Sequence, residues 1–199
     1  MSTTAEPSVR ARDYAHHEAT HGRLRAPIEH VFARLDGHTR LAAHMERPSW
    51  RTGWGRMAVH LDAREGRAVG SRLRLDGRIF GIELWVDEVV TERAPPTRKV
   101  WETVGSPRLL VIGHYRMGFT LATERPEDDD VTLTVFIDYA LPDRGIPRLL
   151  GRLFGRWYAR WCTTQMVADA VAAFGVGPAR QAPAGPAAAP TARAGGTHA

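Results

Sequence analysis

The feature that most constrains the fold is a change of hydrophobic period along the chain. Between Trp54 and Leu141, apolar and polar residues alternate with a period of two, which is typical of strands with one buried face. Residues 146–174 instead carry apolar residues at helical spacing over about seven turns. The short connections between the strands require antiparallel neighbours. The pattern therefore predicts an antiparallel sheet with a long final helix packed across one face.

Six candidate strands lie in the alternating region, and a seventh precedes it. They are Glu18–Arg25, Arg56–Ala63, Ala68–Leu75, Arg78–Val90, Arg98–Val104, Leu109–Thr123 and Val131–Leu141. Of the connections, Asp76-Gly77 carries the strongest turn chemistry, because both central residues of its turn type need positive φ. We expect a tight hairpin there, a further turn at Pro95-Pro96, and a bulge or bend at Gly81.

Helical spacing also occurs after the first strand. Pro27 is well placed at the first position of a helix, and apolar residues recur at helical spacing from there until Gly37. Residues 38–45 predict a second short helix. In the long final helix we expect one inward face, which consists of Ile146, Leu150, Leu153, Trp157, Trp161, Thr164, Ala168 and Val171.

The length of 199 residues fits one domain with flanking segments. Residues 177–199 contain no Leu, Ile, Val or Phe, so they cannot bury enough apolar area to offset the entropy lost on ordering. We expect a flexible leader over 1–17, a folded domain over 18–176 and a disordered tail over 177–199.

Charge and cysteine content exclude several classes of function. The net charge is +5, with basic residues spread along the chain, and all but Lys99 of the 27 basic residues are arginine. A clustered basic face is absent, so we predict no nucleic-acid partner. The single Cys162 excludes an internal disulfide and a cysteine-rich zinc site. No signal peptide or long apolar run is evident, which predicts a cytoplasmic protein.

Residues 17–21 match the zinc-protease pattern HExxH. That chemistry needs a helix, which sets His17 and His21 one turn apart with Glu18 beside the bound water. Here the pattern lies where the first strand is predicted, so we predict no metal site. Walker A, dinucleotide and GxSxG motifs are also absent, and we predict no cofactor.

The order of elements and several segments resemble the START/Bet v1-like (SRPBCC) superfamily, in particular its polyketide cyclase/dehydrase and lipid transport-like proteins. The segments are APIEHVFARLDGHTRLAAHM (26–45), DEVVTERAPPTRKVWE (87–102), IGHYRMGFTLA (112–122) and YARWCTTQMVADAV (158–171). The resemblance implies an α+β helix-grip fold. Its curved antiparallel sheet of about seven strands, two short helices and a long C-terminal helix would enclose a largely apolar cavity.

Two functions follow from such a cavity. The favoured one is binding of a hydrophobic or amphipathic small molecule, such as a lipid, polyketide or isoprenoid, between the sheet and the final helix. The alternative is a cyclase or dehydratase that uses general acid/base residues in the same cavity. The residues expected to contact the ligand are Phe80, Leu84, Tyr115, Met117, Tyr139, Leu153, Trp157 and Trp161.

Candidates for proton transfer are few. Glu88 lies on the apolar face of its predicted strand, where burial would raise its pKa. The simpler interpretation, which we favour at this stage, is a rim position in water or an ion pair with an arginine. Tyr115 and Tyr139 bring hydroxyl groups to apolar faces, and His44 or His60 could lie near the cavity mouth.

Four arginines recur at i+4 spacing on the final helix: Arg148, Arg152, Arg156 and Arg160. A solvated flank is the simpler interpretation of such a row. The alternative is weak contact with a membrane surface.

Overall fold

The computed structural model describes residues 14–37, 56–79, 81–125 and 129–175. The second short helix, His44, Phe80, the tail and most of the leader lie outside these residues. The elements are β1 (His16–Arg25), α1 (Ile28–Leu35), β2 (Arg56–Leu61), β3 (Arg72–Ile79), β4 (Ile82–Ala94), β5 (Arg98–Arg108), β6 (Tyr115–Thr123), β7 (Asp130–Tyr139) and α2 (Gly145–Phe174).

The seven strands form one curved antiparallel sheet in the order β1-β7-β6-β5-β4-β3-β2. Neighbours along the chain pair with each other, except that β1 joins β7 at one end of the sheet. The helix α2 packs against β1 and β7, and α1 packs against β6. This arrangement confirms the predicted α+β helix-grip architecture.

The predicted hairpin at Asp76-Gly77 is wrong. Both residues lie inside β3, where they pair with β2 on one side and β4 on the other. The chain instead turns between Ile79 and Ile82, which pair with each other, and Gly81 has a φ of +78°. A positive φ is easily reached by glycine, and it is Gly81 that adopts it. The Asp76 carboxylate instead pairs across the strands with His60, 2.9 Å from its Nε2 atom.

The helix α2 has the predicted length, but its inward face differs from the prediction. The buried residues are mostly small: Gly151, Gly155, Ala159, Cys162, Thr163, Met166, Val167 and Ala170. Leu153 and Trp157, which were expected to point inward, are 65% and 56% exposed. The predicted face placed the largest apolar side chains against the sheet, and this part of the prediction is wrong.

Close backbone contacts explain the orientation of α2. A Cβ atom on Gly151 would lie 2.8 Å from the Val111 carbonyl oxygen, and one on Gly155 would lie 3.1 Å from the same atom. A larger residue at either position would push the helix off the loop between β5 and β6. The glycines therefore have to face the body of the protein, and the large residues face away from it.

A buried ion cluster ties the end of α1 to β4 and β5. Lys99 is fully buried, and its Nζ atom lies 2.9 Å from Asp36 Oδ1 and 2.5 Å from the Asp36 carbonyl oxygen. Arg93 donates to the same carboxylate at 2.8 Å. Burial alone would raise the pKa of Asp36, but hydrogen bonds from Arg93 and Lys99 outweigh it and lower that pKa. The single lysine of the chain thus has a structural role.

Candidate functional site

Besides the Lys99 cluster, the inner face of the sheet carries a row of polar side chains that crosses its middle strands. Glu88 of β4 pairs with Thr103 of β5. The Tyr115 amide of β6 donates to the Thr103 hydroxyl at 3.2 Å, and Tyr115 pairs with Tyr139 of β7. Because cross-strand neighbours on one face lie side by side, the register alone brings these residues together.

Glu88 and Tyr115 form a buried hydrogen-bonded pair. The Tyr115 hydroxyl donates to Glu88 Oε1, and the Trp101 side chain also hydrogen-bonds the carboxylate. Glu88 is only 3% exposed, so the rim or arginine-paired position favoured from the sequence is wrong. Burial raises the pKa of Glu88 from 4.5 to about 7, although both hydrogen bonds act to lower it. Near neutral pH this group is therefore poised between its two protonation states.

The helix side of the site is formed by Tyr158 and Cys162. The two side chains hydrogen-bond each other, and their charged forms would interact with Tyr115 and Glu88 across the interior. Burial raises the pKa of the Cys162 thiol to about 12, so the thiol stays protonated at neutral pH. Burial, followed by the charge of Glu88, also raises the pKa of Tyr115 well above its usual value. The hydroxyls of this site are thus hydrogen-bond donors.

Tyr139 shares the row but has a different environment. Its ring stacks on His16 with 5.0 Å between ring centroids, and a Cβ atom on Gly155 would lie 3.6 Å from the ring. Tyr139 is 2% exposed, and burial raises its pKa. The ring thus packs between β1 and the helix, while Glu88 and Tyr115 are the candidates that the fold brings into contact.

The other predicted site residues divide by burial. Leu84 and Met117 are buried in the core, and Trp161 is partly buried against it. His60 is exposed and borders a hollow of about 370 Å³ that extends from β2 to β5 and is also lined by Leu73 and Glu88. Its lining combines charged side chains with the apolar Leu61, Leu73 and Val104.

The HExxH pattern lies on β1, as predicted, and its side chains have separate partners. His17 Nδ1 is 2.6 Å from Asp138 Oδ1, and His21 Nδ1 is 2.8 Å from Thr134 Oγ1. Glu18 lies on the opposite face of the strand and accepts a hydrogen bond from Arg156. Among the residues that the structure describes, no three metal-ligating side chains come together.

Four residues of the site were not predicted from the sequence: Trp101, Thr103, Tyr158 and Cys162. Trp101 and Thr103 share the inward phase of β5 with the buried Lys99, so a correct strand phase would have found them. Tyr158 lies next to the inward face that the small residues at 151, 155 and 159 define. The spacing of those small residues could have indicated the inward face of α2. The prediction followed the larger apolar residues instead.

Comparison with solved structures identifies the fold. The chain is similar to the Zhui aromatase/cyclase from Streptomyces sp. R1128, with a TM-score of 0.57, 12% identity and coverage of 79% of this chain and 92% of that one. A ginseng major latex-like protein from Panax ginseng matches with a TM-score of 0.51 and 13% identity, covering 80% of this chain and 97% of that one. The chain has the helix-grip fold of START/Bet v1-like proteins.

At these identities the likeness extends to the helix-grip fold alone. No protein-family model matches the chain, and no curated protein matches it. None of the helices in the described ranges is both long enough and apolar enough to cross a membrane.

The site combines three groups with polar hydrogens. The sheet supplies the carboxyl group of Glu88 in contact with the phenol of Tyr115, and α2 supplies the phenol of Tyr158. Such a set can hydrogen-bond a polar group of an otherwise apolar molecule, or exchange a proton with it.

Proposed function

We propose that the protein binds a hydrophobic or amphipathic small molecule, of the lipid, polyketide or isoprenoid kind, between the sheet and α2. In this proposal the Glu88–Tyr115 pair hydrogen-bonds the polar group of the ligand and sets its orientation. Apolar contact with the inner face supplies the affinity, since removing apolar area from water contributes roughly 25 cal/mol per Å².

The observation that carries this proposal is the burial of Glu88 on an apolar face. A carboxyl group whose pKa burial raises to about 7 destabilises the fold at neutral pH relative to an apolar residue of similar size. Strongly perturbed groups of this kind concentrate at functional sites. The helix α2 packs on β1 and β7 at one end of the sheet, so the inner faces of β4 and β5, with Glu88 and Trp101, lie beside this contact.

The similarity in fold supports the same proposal. Two structures that share this fold are an aromatase/cyclase by name and a major latex-like protein by name. The first name is that of an enzyme that forms aromatic rings, which is compatible with a hydrophobic ligand here.

Binding can be tested with two probes. Native mass spectrometry of the purified protein should detect a copurified hydrophobic molecule. The delipidated protein should bind 1-anilinonaphthalene-8-sulfonate saturably, and 2-naphthol, a neutral aromatic with one hydroxyl, should displace it. Glu88→Gln should weaken 2-naphthol binding by about tenfold or more, because one hydrogen bond to a charged group contributes about 1.5–3 kcal/mol.

Two control variants make the binding test specific. Glu83→Gln changes an exposed glutamate on the same strand and should leave 2-naphthol binding unchanged. Leu153→Gln/Trp157→Gln should also leave it unchanged, because these side chains point away from the sheet. Absence of both a copurified ligand and saturable probe binding in a folded protein would refute the proposal.

A second candidate function is a cyclase or dehydratase, and the position of Glu88 beside Tyr115 favours it. With a pKa of about 7, Glu88 can remove a proton from carbon next to a carbonyl group, while Tyr115 donates to the developing enolate oxygen. Attack of that carbon on a second carbonyl closes a ring. The new alkoxide takes this proton back from Glu88 and becomes a hydroxyl group. Glu88 then removes the second proton from the attacking carbon and passes it to the hydroxyl group, which leaves as water while a carbon–carbon double bond forms.

Turnover of a short poly-β-ketone thioester separates the two functions. An enzyme should form a cyclised product detectable by mass spectrometry, with a rate that rises through about pH 7 and falls by about 100-fold or more in Glu88→Gln. Tight binding of the thioester without product would instead assign the protein to ligand binding.

A further inference from the structure

The outward face of α2 carries large apolar side chains where a surface helix normally carries polar ones. Ile146 is 74% exposed, and Leu153 and Trp157 are more than half exposed. We call the whole set the outer stripe; it consists of Ile146, Leu149, Leu153, Phe154 and Trp157. Gly151 and Gly155 pack against the loop between β5 and β6. At 100° per residue, the outer stripe projects from the opposite side of the helix, except that Phe154 lies on its flank.

The outer stripe has an exclusively positive flank. The exposed Arg148, Arg152, Arg156 and Arg160 run along one side of it, and α2 contains no acidic residue before Asp169. Arg156 donates to Glu18 at 2.8 Å, and Arg148 donates to the Asp143 carbonyl oxygen. Within the part of the chain that the structure describes, Arg152 and Arg160 form no ion pair. At least two guanidinium groups therefore present their charge outward.

We propose that the outer stripe and its arginines dock the protein on the surface of a bilayer that contains anionic lipids. Helices that lie in a membrane interface combine a large apolar face with basic residues beside it, and tryptophan is favoured at that depth. Leu153 and Trp157 enter the boundary between headgroups and acyl chains. Arg152 and Arg160 bind the lipid phosphates, for which the planar guanidinium is well suited.

Charge complementarity favours this occupant over a second copy of the chain. Two copies that met through the outer stripe would bring arginine-rich flanks together, and α2 offers no carboxylate before Asp169 to neutralise them. An anionic bilayer supplies both the apolar depth and the negative charge. The proposal is independent of the ligand site, since Leu153 and Trp157 point away from Glu88.

Vesicle co-sedimentation of the full chain tests the docking. Vesicles of phosphatidylcholine with one quarter phosphatidylglycerol should bind at least about tenfold more protein than pure phosphatidylcholine, and 0.5 M salt should reverse this. Arg152→Gln/Arg160→Gln should reduce binding by about tenfold or more. Leu153→Gln/Trp157→Gln should reduce it by a similar factor, because the inserted apolar area is lost.

The matched control is Arg64→Gln/Arg67→Gln, which removes two exposed arginines from the loop between β2 and β3. This variant should retain vesicle binding within about twofold, and circular dichroism should show that all variants are folded. The proposal is wrong if binding does not depend on phosphatidylglycerol, or if neither α2 double variant reduces it.

Two other results would assign the outer stripe to a different occupant and overturn the proposal. One is a dimer in light scattering that Leu153→Gln/Trp157→Gln dissociates, without any vesicle binding. The other is binding to polyglutamate as tight as to anionic vesicles and insensitive to the Leu153→Gln/Trp157→Gln change, which would indicate an acidic protein partner.

Discussion

The Tyr115 hydroxyl donates a hydrogen bond to the Glu88 carboxylate across β5, the strand that separates β4 from β6. Thr103 lies between the two in the same row. Both side chains are buried, so water cannot replace the hydrogen bond if one partner is removed. The protonation of Glu88 and the stability of the fold are therefore coupled, which leads to measurable predictions.

We expect stability to depend on pH through Glu88. Its pKa is about 7 in the folded protein and 4.5 when unfolded, so between these values the folded state binds the additional proton. The contribution of Glu88 to the free energy of unfolding is fully present below pH 4.5, and it is lost as pH rises through 7. The shift corresponds to roughly 3 kcal/mol. In Glu88→Gln this contribution is absent at every pH.

Urea unfolding of wild type and Glu88→Gln between pH 4.5 and 8 measures this contribution. The unfolding free energy of the wild type should fall relative to that of Glu88→Gln as pH rises across this range. The other titrating groups are common to both proteins, so their effects cancel in the difference. Glu83→Gln, on an exposed position of β4, should follow the wild-type curve. Parallel curves for wild type and Glu88→Gln would contradict the assignment.

Removing the phenol should raise the pKa of Glu88 further. In Tyr115→Phe the carboxylate loses a donor that lowers its pKa, so its titration midpoint should move above that of the wild type. The variant should be destabilised by about 2 kcal/mol at pH 8 and by less at pH 5, since the hydrogen bond is stronger to the charged form. Carbon-13 NMR of the glutamate carboxyl groups gives the midpoint. An unchanged midpoint would show that the hydrogen bond is not formed in solution.

Breaking the buried ion cluster should be costly. Lys99→Met leaves the Asp36 carboxylate with Arg93 as its remaining cationic partner, and we expect a loss of about 3 kcal/mol in unfolding free energy. Arg98→Met removes a half-buried arginine that donates to Glu92 at 2.7 Å, and it should cost only about 1 kcal/mol. Equal effects of the two substitutions in chemical denaturation would argue against a structural role for Lys99.

A methyl group on Gly151 should destabilise the fold although alanine favours helices. Propensity alone would stabilise Gly151→Ala by about 1 kcal/mol. The new Cβ atom would instead lie 2.8 Å from the Val111 carbonyl oxygen, a backbone atom, so we expect a net loss of about 1–3 kcal/mol. The reverse exchange at the exposed Ala168, Ala168→Gly, gives the size of the propensity effect in the same helix. Thermal unfolding that shows Gly151→Ala to be more stable than wild type would refute the close contact.

Much of the fold follows from local patterns. Alternation over β4 and β7 and the helical spacing after Pro27 depend on residues a few positions apart, so the sequence was sufficient to predict these elements. The turn predicted at Asp76-Gly77 lies instead at Gly81, where the sequence predicted only a bulge or bend. Pairing of β3 with two neighbouring strands, which is not a local property, decided this position.

The candidate site depended more heavily on tertiary structure. The inward phase of β4 made Glu88 a candidate, but its partner, Tyr115, is 27 residues away and was expected to face a ligand. The pKa of Glu88 depends on complete burial, and that burial depends on the elements that pack over this face of the sheet. A strand pattern identifies which face a residue occupies and cannot show how deeply that face is covered.

Periodicity along the chain was enough to predict the order of elements, the seven strands, the long final helix and the resemblance to helix-grip proteins. The face of α2 that meets the sheet depends instead on packing between distant segments. Leu153 and Trp157 make one face the more hydrophobic, but Gly151 and Gly155 are needed where the helix approaches the Val111 carbonyl oxygen within van der Waals distance. Steric fit between distant segments therefore overrode hydrophobicity, and it left the outer stripe on the surface.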